Sequence, residues 1–270
     1  MTPTASGFTF SREAYESVLG AINRSGYRWS TFSEVAAAMP DMASCQTCLM
    51  RHDVDISMDF AVDMAKVEYS HSVRSTYFLM LRSPLYNLMS RHGSAAMMQL
   101  VDLGHDIGLH FDAGFSLRSS MGMDKDLRFE LDTLSRLIGR EVRAFSFHQP
   151  SEDAIRLRIA VPEVINTYHP EQLPSFKYVS DSNRVWRDLD PFQLVACGFQ
   201  QIQILIHPVW WMCEEVHTFD CWDRAIERNF QSEQRQILDT ERAYGPKRSV
   251  RVVRIPDDGI PEIGTGEAAE

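Results

Sequence analysis

The chain has 270 residues, of which 44% are hydrophobic, enough to bury one substantial domain and within the usual size of an α/β barrel. Its formal net charge of −10, with Lys and Arg scattered and no basic stripe, argues against nucleic-acid binding. The stretch from Met1 to Gly20 is polar and lacks the apolar run of a secretory signal, no segment has transmembrane length, and the CxxC at Cys45 and Cys48 is short of a four-ligand zinc site, so a cytoplasmic protein with reduced thiols is expected.

Ser11 followed by Glu13, Tyr15, Val18, Leu19 and Ile22 predicts a capped amphipathic helix, and Thr31 to Met39 a second, short one. Residues 1–45 are thus expected to form a helical leader covering one end of the main domain, residues 46–255. Within that domain an apolar strand runs through Cys48, Leu49 and Met50 into Arg51-His52-Asp53-Val54-Asp55. There follow a helix from Ser57 to Ser70, a strand from Ser75 to Leu81, a helix from Gly93 to Leu103 and a strand from Asp106 to Phe111. Next come a helix from Met123 to Gly139, a strand from Arg143 to His148 and a helix from Ser151 to Ile159. Short strands are predicted at Val164 to Tyr168, Lys177 to Asp181 and Gln201 to His207, then a long polar helix from about Asp220 to Tyr244. The alternation means a parallel sheet, either doubly wound or closed into a barrel. The tail from Pro256 to Glu270, rich in Gly, Pro, Asp and Glu, is expected to be disordered.

Several of these strands end in acids or histidines, at the end where α/β folds place their chemistry. Alternation aims Asp53 and Asp55 to one side, where they repel unless one is protonated or a cation lies between them. A metal site answers that repulsion; a solvated turn, or an Asp capping the helix near Ser57, accounts for the same residues without one. His110 and Asp112 end the Asp106 strand, His148 precedes Pro150, Asp181 follows Tyr178-Val179-Ser180, and His207 precedes Pro208. His105 lies five residues from His110, so alternation turns it to the opposite strand face.

From about Leu49 to Trp211 this ordered set resembles the polysaccharide deacetylase family, also called the NodB-homology or carbohydrate esterase 4 group. His52-Asp53-Val54-Asp55 is similar to the family's first motif in an Asp-x-Asp form, and Gly104-His105-Asp106-Ile107-Gly108-Leu109-His110 to its second. Phe147-His148-Gln149-Pro150 falls where the third belongs, and Leu205-Ile206-His207 is similar to the closing motif that carries a catalytic His. The resemblance implies a distorted (β/α) barrel, usually seven-stranded, with these motifs around its C-terminal mouth. One departure stands out: the family's second motif has another His four residues after the first, and that position here is Gly114.

The resemblance further implies a metal-dependent hydrolase that removes an acetyl or formyl group from an amino sugar. Metal ligation is assigned to Asp55, His110 and His148, with Asp112 the alternative third ligand. Asp53 is the expected general base on the attacking water and His207 the general acid. Imidazole and carboxylate donors with open positions suit Zn²⁺ first, with manganese, iron, cobalt or nickel as alternatives. Arg82, Tyr86, Asn87, Asp181 and Trp210 are candidate substrate contacts, Asp181 alternatively holding His207 or serving as a turn residue that bonds its own backbone. A cytoplasmic location implies a nucleotide- or lipid-linked precursor of surface polysaccharide as substrate. Two rivals accompany this reading: a catalytically silent sugar-binding or scaffold protein, motivated by Gly114, and a metal-free hydrolase of another C–N bond such as a cyclic ureide.

Overall fold

The computed structural model describes residues 8–38, 45–116, 118, 122–156, 159–169 and 171–241; Met39, the predicted end of the last helix at Tyr244 and the tail from Pro256 lie outside them. Helix α1 (Arg12–Arg24) forms because Ser11 caps it, accepting from the Ala14 N–H at 3.2 Å, and because Tyr15, Val18, Leu19 and Ile22 make one buried stripe. It is followed by β1 (Arg28–Ser30), α2 (Phe32–Ala38), β2 (Thr47–Val54), α3 (Met58–Ser70), β3 (Thr76–Leu79), α4 (Arg91–Asp102) and β4 (Asp106–Phe111). The chain continues through α5 (Ala113–Ser116), α6 (Met123–Ile138), β5 (Ala144–Phe147), α7 (Glu152–Arg156), β6 (Ile165–Asn166) and β7 (Lys177–Ser180). Finally come α8 (Pro191–Ala196), β8 (Gln201–Ile206), α9 (Pro208–Met212) and α10 (Thr218–Thr240). The short elements β1, α5, α8 and α9 carry too few residues for a periodic signal and are not predicted from the sequence.

Seven strands run in the order β6-β5-β4-β3-β2-β8-β7, all parallel, with β1 added beside β2. Because β8 takes one edge of β2 along Thr47–His52, β1 and β3 divide the other, against Thr47–Leu49 and Arg51–Val54. The terminal strands β6 and β7 do not pair with one another among the described residues, so the sheet curls into an open, half-closed barrel. The expected seven-stranded distorted barrel is therefore the fold, without closure.

Strand alternation sorts the side chains into two environments. Inside the curl, Leu49, Phe78, Ala144 and Ile165 meet Phe32 and Val35 of α2, which plugs the bottom of the barrel against β4, β5 and β6. A Cβ on Gly108 would lie 2.5 Å from the Phe78 ring, so glycine here is what lets that ring cross the interior. On the outer face, Cys48, Met50, Ile202, Ile204 and Ile206 pack under α1, α3 and α9, while Tyr77, Leu79, Ile107, Leu109 and Phe111 pack among α3, α4 and α6.

The outer layer also contains a buried polar cluster centred on Glu68 of α3. Its Oε1 accepts from Tyr15 (2.7 Å) and lies 2.8 Å from His52 Nε2, while Oε2 accepts from Tyr77 (2.6 Å) and Ser75 (2.7 Å). Ser75 Oγ is in turn 3.0 Å from His105 Nδ1. His52 and His105 thus face away from the barrel mouth, as their parity requires. Burial would raise the Glu68 pKa, but His52, His105 and the hydroxyl donors outweigh it and hold the carboxyl at about 2. A folded-state value below the unfolded one means stability present above the ordinary glutamate pKa and lost as pH falls toward 2. Glu68→Ala, which leaves His52 and three hydroxyls without their acceptor, is expected to lower stability by about 3–5 kcal/mol. Urea unfolding at pH 7 measures it; a change under about 1 kcal/mol would show that the cluster contributes little beyond packing.

Candidate metal centre and active site

Parallel register brings the predicted strand ends together. His110 of β4 pairs with Ser146 of β5, so His148, two residues beyond, rises beside His110 on the same inner face. Asp55 leaves the end of β2 toward both. Its Oδ1 lies 3.0 Å from His110 Nε2 and 3.0 Å from His148 Nδ1, and the two nitrogens are 3.3 Å apart. Ligands about 2.0–2.1 Å from a tetrahedral zinc stand roughly 3.3 Å from each other, so this triangle has the edge length of one face of such a site. The fit extends to the next layer. His110 Nδ1 is 2.7 Å from Ser146 Oγ, which lies 3.4 Å from Asp53 Oδ1, so the Nδ1 proton has an acceptor and Nε2 keeps its lone pair for a cation.

Asp112 is not the third member of this group. Its Oδ1 accepts the Phe115 N–H at 3.0 Å and caps the short α5. Gly114 sits in that helix without a positive φ, and a Cβ there would meet Asp112 Oδ1 at 3.2 Å.

Burial alone would raise the Asp55 pKa; the facing imidazoles of His110, His148 and His207 outweigh it and hold the carboxyl well below the carboxylate range. Burial would lower that of His148, but the bond to Asp55 and its charge win and raise it. A metal competes with a proton at His148, so affinity is expected to fall as the pH drops through that raised value. Zinc titrations at pH 8 and pH 6 should show weaker binding at pH 6 with proton release; equal affinity at both would place His148 outside the ligand set.

The cation nearest Asp53 is a residue of the same strand. Arg51, fully buried, donates from Nε to Asp53 Oδ1 at 2.8 Å and from Nη2 to Oδ2 at 2.7 Å. Its Nη1 donates to Thr167 Oγ1 at 2.9 Å, and its guanidinium lies 5.3 Å from the Phe78 ring and 5.1 Å from that of Tyr168. Burial would raise the Asp53 pKa, yet Arg51 and His110 depress it, so the carboxylate stays ionised. The repulsion between Asp53 and Asp55 is thus offset in part by Arg51. Sequence reasoning missed this, although its position two residues before Asp53 puts both on one face. Ser146 was missed too; its signal is the same two-residue step before His148.

Asp181 at the end of β7 faces His207 at the end of the neighbouring β8. Its Oδ1 is 2.6 Å from His207 Nδ1, both oxygens lie within 3.2 Å of the His207 backbone N, and Oδ2 accepts from Trp211 Nε1 at 2.8 Å. Asp181 is fully buried, so of its two proposed roles it holds His207 and does not reach a substrate hydroxyl. Burial would lower the His207 pKa, but Asp181, Asp55 and Asp53 raise it to about 9. With Nδ1 tied to Asp181, Nε2 points toward Asp55 Oδ2, 3.7 Å away.

Three other expected substrate contacts have partners inside the protein. The Tyr86 hydroxyl donates to the Val54 carbonyl (2.7 Å) and accepts from Met80 N–H (2.8 Å), tying the ends of β2 and β3 together. Arg82 donates to Glu130 at 2.5 Å and lies 3.9 Å above the Phe115 ring, and Asn87 Oδ1 accepts from Met89 N–H at 2.9 Å within its turn. Each is a hydrogen-bonding group, but Arg82 and Tyr86 find partners on other elements and Asn87 one within its own turn. Trp210 is buried in α9 with its ring centroid 6.5 Å from that of His207. Tyr178, which sequence reasoning left out, is 42% exposed; Val179 beside it is buried in the outer core, so alternation turns Tyr178 to the barrel side near Arg51 and Asp53.

Fold and site together define an open parallel α/β barrel with a carboxylate–histidine cluster at the carboxyl ends of its strands. No family model and no curated protein matches the sequence. Among solved structures the chain is similar over most of its length to family 4 carbohydrate esterases. The Streptococcus pyogenes deacetylase PplD in complex with acetate matches at 13% identity and a TM-score of 0.45, covering 77% of this chain and 88% of that one. A family 4 carbohydrate esterase from Bacillus anthracis matches at 12% identity and a TM-score of 0.42, covering 86% and 91%. BA3943, a CE4 family pseudoenzyme from Bacillus anthracis, matches at 14% identity and a TM-score of 0.39, covering 71% and 62%. These likenesses concern the path of the chain and bring no chemistry with them. No helix among the described residues is long and apolar enough to cross a membrane.

Proposed function

We propose that the protein is a metal-dependent amide hydrolase that removes an acetyl or formyl group from an amino sugar. What supports this most is the convergence of Asp55, His110 and His148 within ligand reach of one another, beside Asp53 and His207. A divalent cation held by those three residues, zinc by donor type, supplies electrophilic polarisation of an acyl carbonyl. Asp53, ionised against Arg51, accepts the proton of the attacking water on Oδ2, which keeps a lone pair beyond the one Arg51 uses, whereas Oδ1 already accepts from Arg51 and Ser146. His207 enters the reaction as imidazolium, its Nδ1 side neutralised by Asp181, and releases the Nε2 proton to the departing amine. Tyr178, exposed at the barrel mouth, offers aromatic surface for a sugar ring beside these groups.

The substrate we favour is a nucleotide- or lipid-linked precursor handled in the cytoplasm. Incubating zinc-loaded protein with N-acetyl and N-formyl amino sugars, free and nucleotide-linked, and measuring acetate and formate tests the reading. Release that requires metal and disappears in Asp53→Asn supports it. No release from any of them by protein carrying stoichiometric metal would instead favour a silent binding protein.

A further inference from the structure

Asp181 and His207 end neighbouring strands, and a single side chain outside the site joins the segments that follow them. After Asp181 comes a tight turn, Ser182–Arg184, in which Asn183 (φ 58°) and Arg184 (φ 59°) both have left-handed backbones. They are the one adjacent pair of non-glycine residues in that region among the described residues. L side chains resist this conformation, so the surroundings must hold it. The turn closes on itself, with the Arg184 N–H donating to the Asp181 carbonyl at 2.7 Å.

The Arg184 guanidinium supplies the hold. Its Nη1 donates to the Val216 carbonyl (2.7 Å) and to Cys221 Sγ (3.2 Å), and its Nη2 to the Glu215 carbonyl (2.8 Å) and the Phe10 carbonyl (3.4 Å). Glu215 and Val216 lie between α9 and α10, and α9 begins at Pro208, directly after His207. One arginine thus ties the turn behind Asp181 to the loop beyond His207 and α9, and both to the segment before α1. A second route to the same carboxylate runs through Phe10: its ring centroid is 5.0 Å from that of Trp211, whose Nε1 donates to Asp181 Oδ2 at 2.8 Å. Acceptors on three separate segments call for donors fanned out in a plane, which a guanidinium has and an ammonium lacks.

We propose that Arg184 is a positioning residue for the Asp181–His207 pair. It holds the left-handed turn against the α9–α10 loop, which keeps the Asp181 carboxylate on His207 Nδ1 and leaves Nε2 aimed at the departing amine. As regards the reaction, this rests on the acid role proposed for His207; Arg184 acts through Asp181 and takes no part in the chemistry.

The test compares the full wild-type chain with Arg184→Ala and Arg184→Lys. In metal-free protein isotope-labelled in its histidines, proton NMR at pH 7 should show the hydrogen-bonded Nδ1 proton of His207, identified by its loss in His207→Gln. Both Arg184 variants are expected to exchange that proton with water at least about tenfold faster, because the pair opens more often. Arg184→Lys keeps the charge and most of the length, so it carries the test should Arg184→Ala not fold. With zinc-loaded protein, kcat for acyl release should fall by up to about 10²-fold while KM and zinc content stay at wild type. Arg184 lines a surface cavity of about 470 Å³, so millimolar methylguanidine should restore part of the rate to Arg184→Ala. Wild-type proton exchange in a folded Arg184 variant would overturn the assignment. If the native chain releases no acyl group, the hydrolase reading fails, and the exchange measurement still decides whether Arg184 holds the pair.

Discussion

Asp53→Asn is expected to leave the fold and the metal affinity intact and to lower turnover by about 10²–10⁴-fold, the usual contribution of a positioned general base. The substitution keeps the size of the side chain and a carbonyl oxygen to accept from Arg51. It removes the negative charge and the capacity to take a proton from water, and leaves Arg51 buried without its counter-ion, so some loss of stability should accompany it. The partner substitution, His207→Ala, should cost a similar factor by removing the proton for the leaving amine. His207 works as an acid, so rate should fall as pH rises through its pKa, at or below about 9 because a cation beside Asp55 pushes that value down. A variant in which His207→Gln keeps the wild-type high-pH limb would remove His207 from the acid role. Loss of metal from Asp53→Asn would make Asp53 a ligand.

His110→Ala and His148→Ala are each expected to abolish stoichiometric metal and, with it, activity, whereas Asp112→Ala should leave both near wild type. The reason is geometric: Asp55, His110 and His148 present donors 3.0–3.3 Å apart, while Asp112 is engaged in capping α5. With one imidazole gone, two protein donors remain and neither holds zinc at the usual ligand count. Elemental analysis after dialysis, with circular dichroism to confirm folding, distinguishes the outcomes. Metal retained by His148→Ala and lost by Asp112→Ala would move the third ligand to α5.

Much of the framework was legible in the sequence. The Asp106–Phe111 strand and the start of α6 at Met123 fall where the apolar patterns predict, and Gly139, at φ 71°, ends that helix in the left-handed turn that favours glycine. Strand parity correctly turned Asp53, Asp55 and His110 inward and His105 outward, because alternation is a property of the extended backbone alone. The same rule, applied two residues further, would have found Arg51 and Ser146. Hydrogen-bonding side chains after β3 were harder: Arg82, Tyr86 and Asn87 have the chemistry to bind a sugar, but residue type does not say which acceptor lies nearest once the loop folds back.

By itself, then, the sequence determined which residues could act: it set the alternation of helix and strand, the inward face of each strand and the acids and histidines at the strand ends, all consequences of backbone geometry within a few residues. Only the tertiary structure decided which of them meet. His148 joins Asp55 because β4 and β5 are neighbours in register, Asp181 finds His207 because β7 lies beside β8, and the barrel stays open because, among the described residues, β6 and β7 end the sheet without pairing with each other. Strand order and register are fixed by packing among residues far apart in the chain, with Phe32 and Phe78 filling the interior and α1, α3 and α9 covering the outer face. No local pattern encodes those long-range contacts.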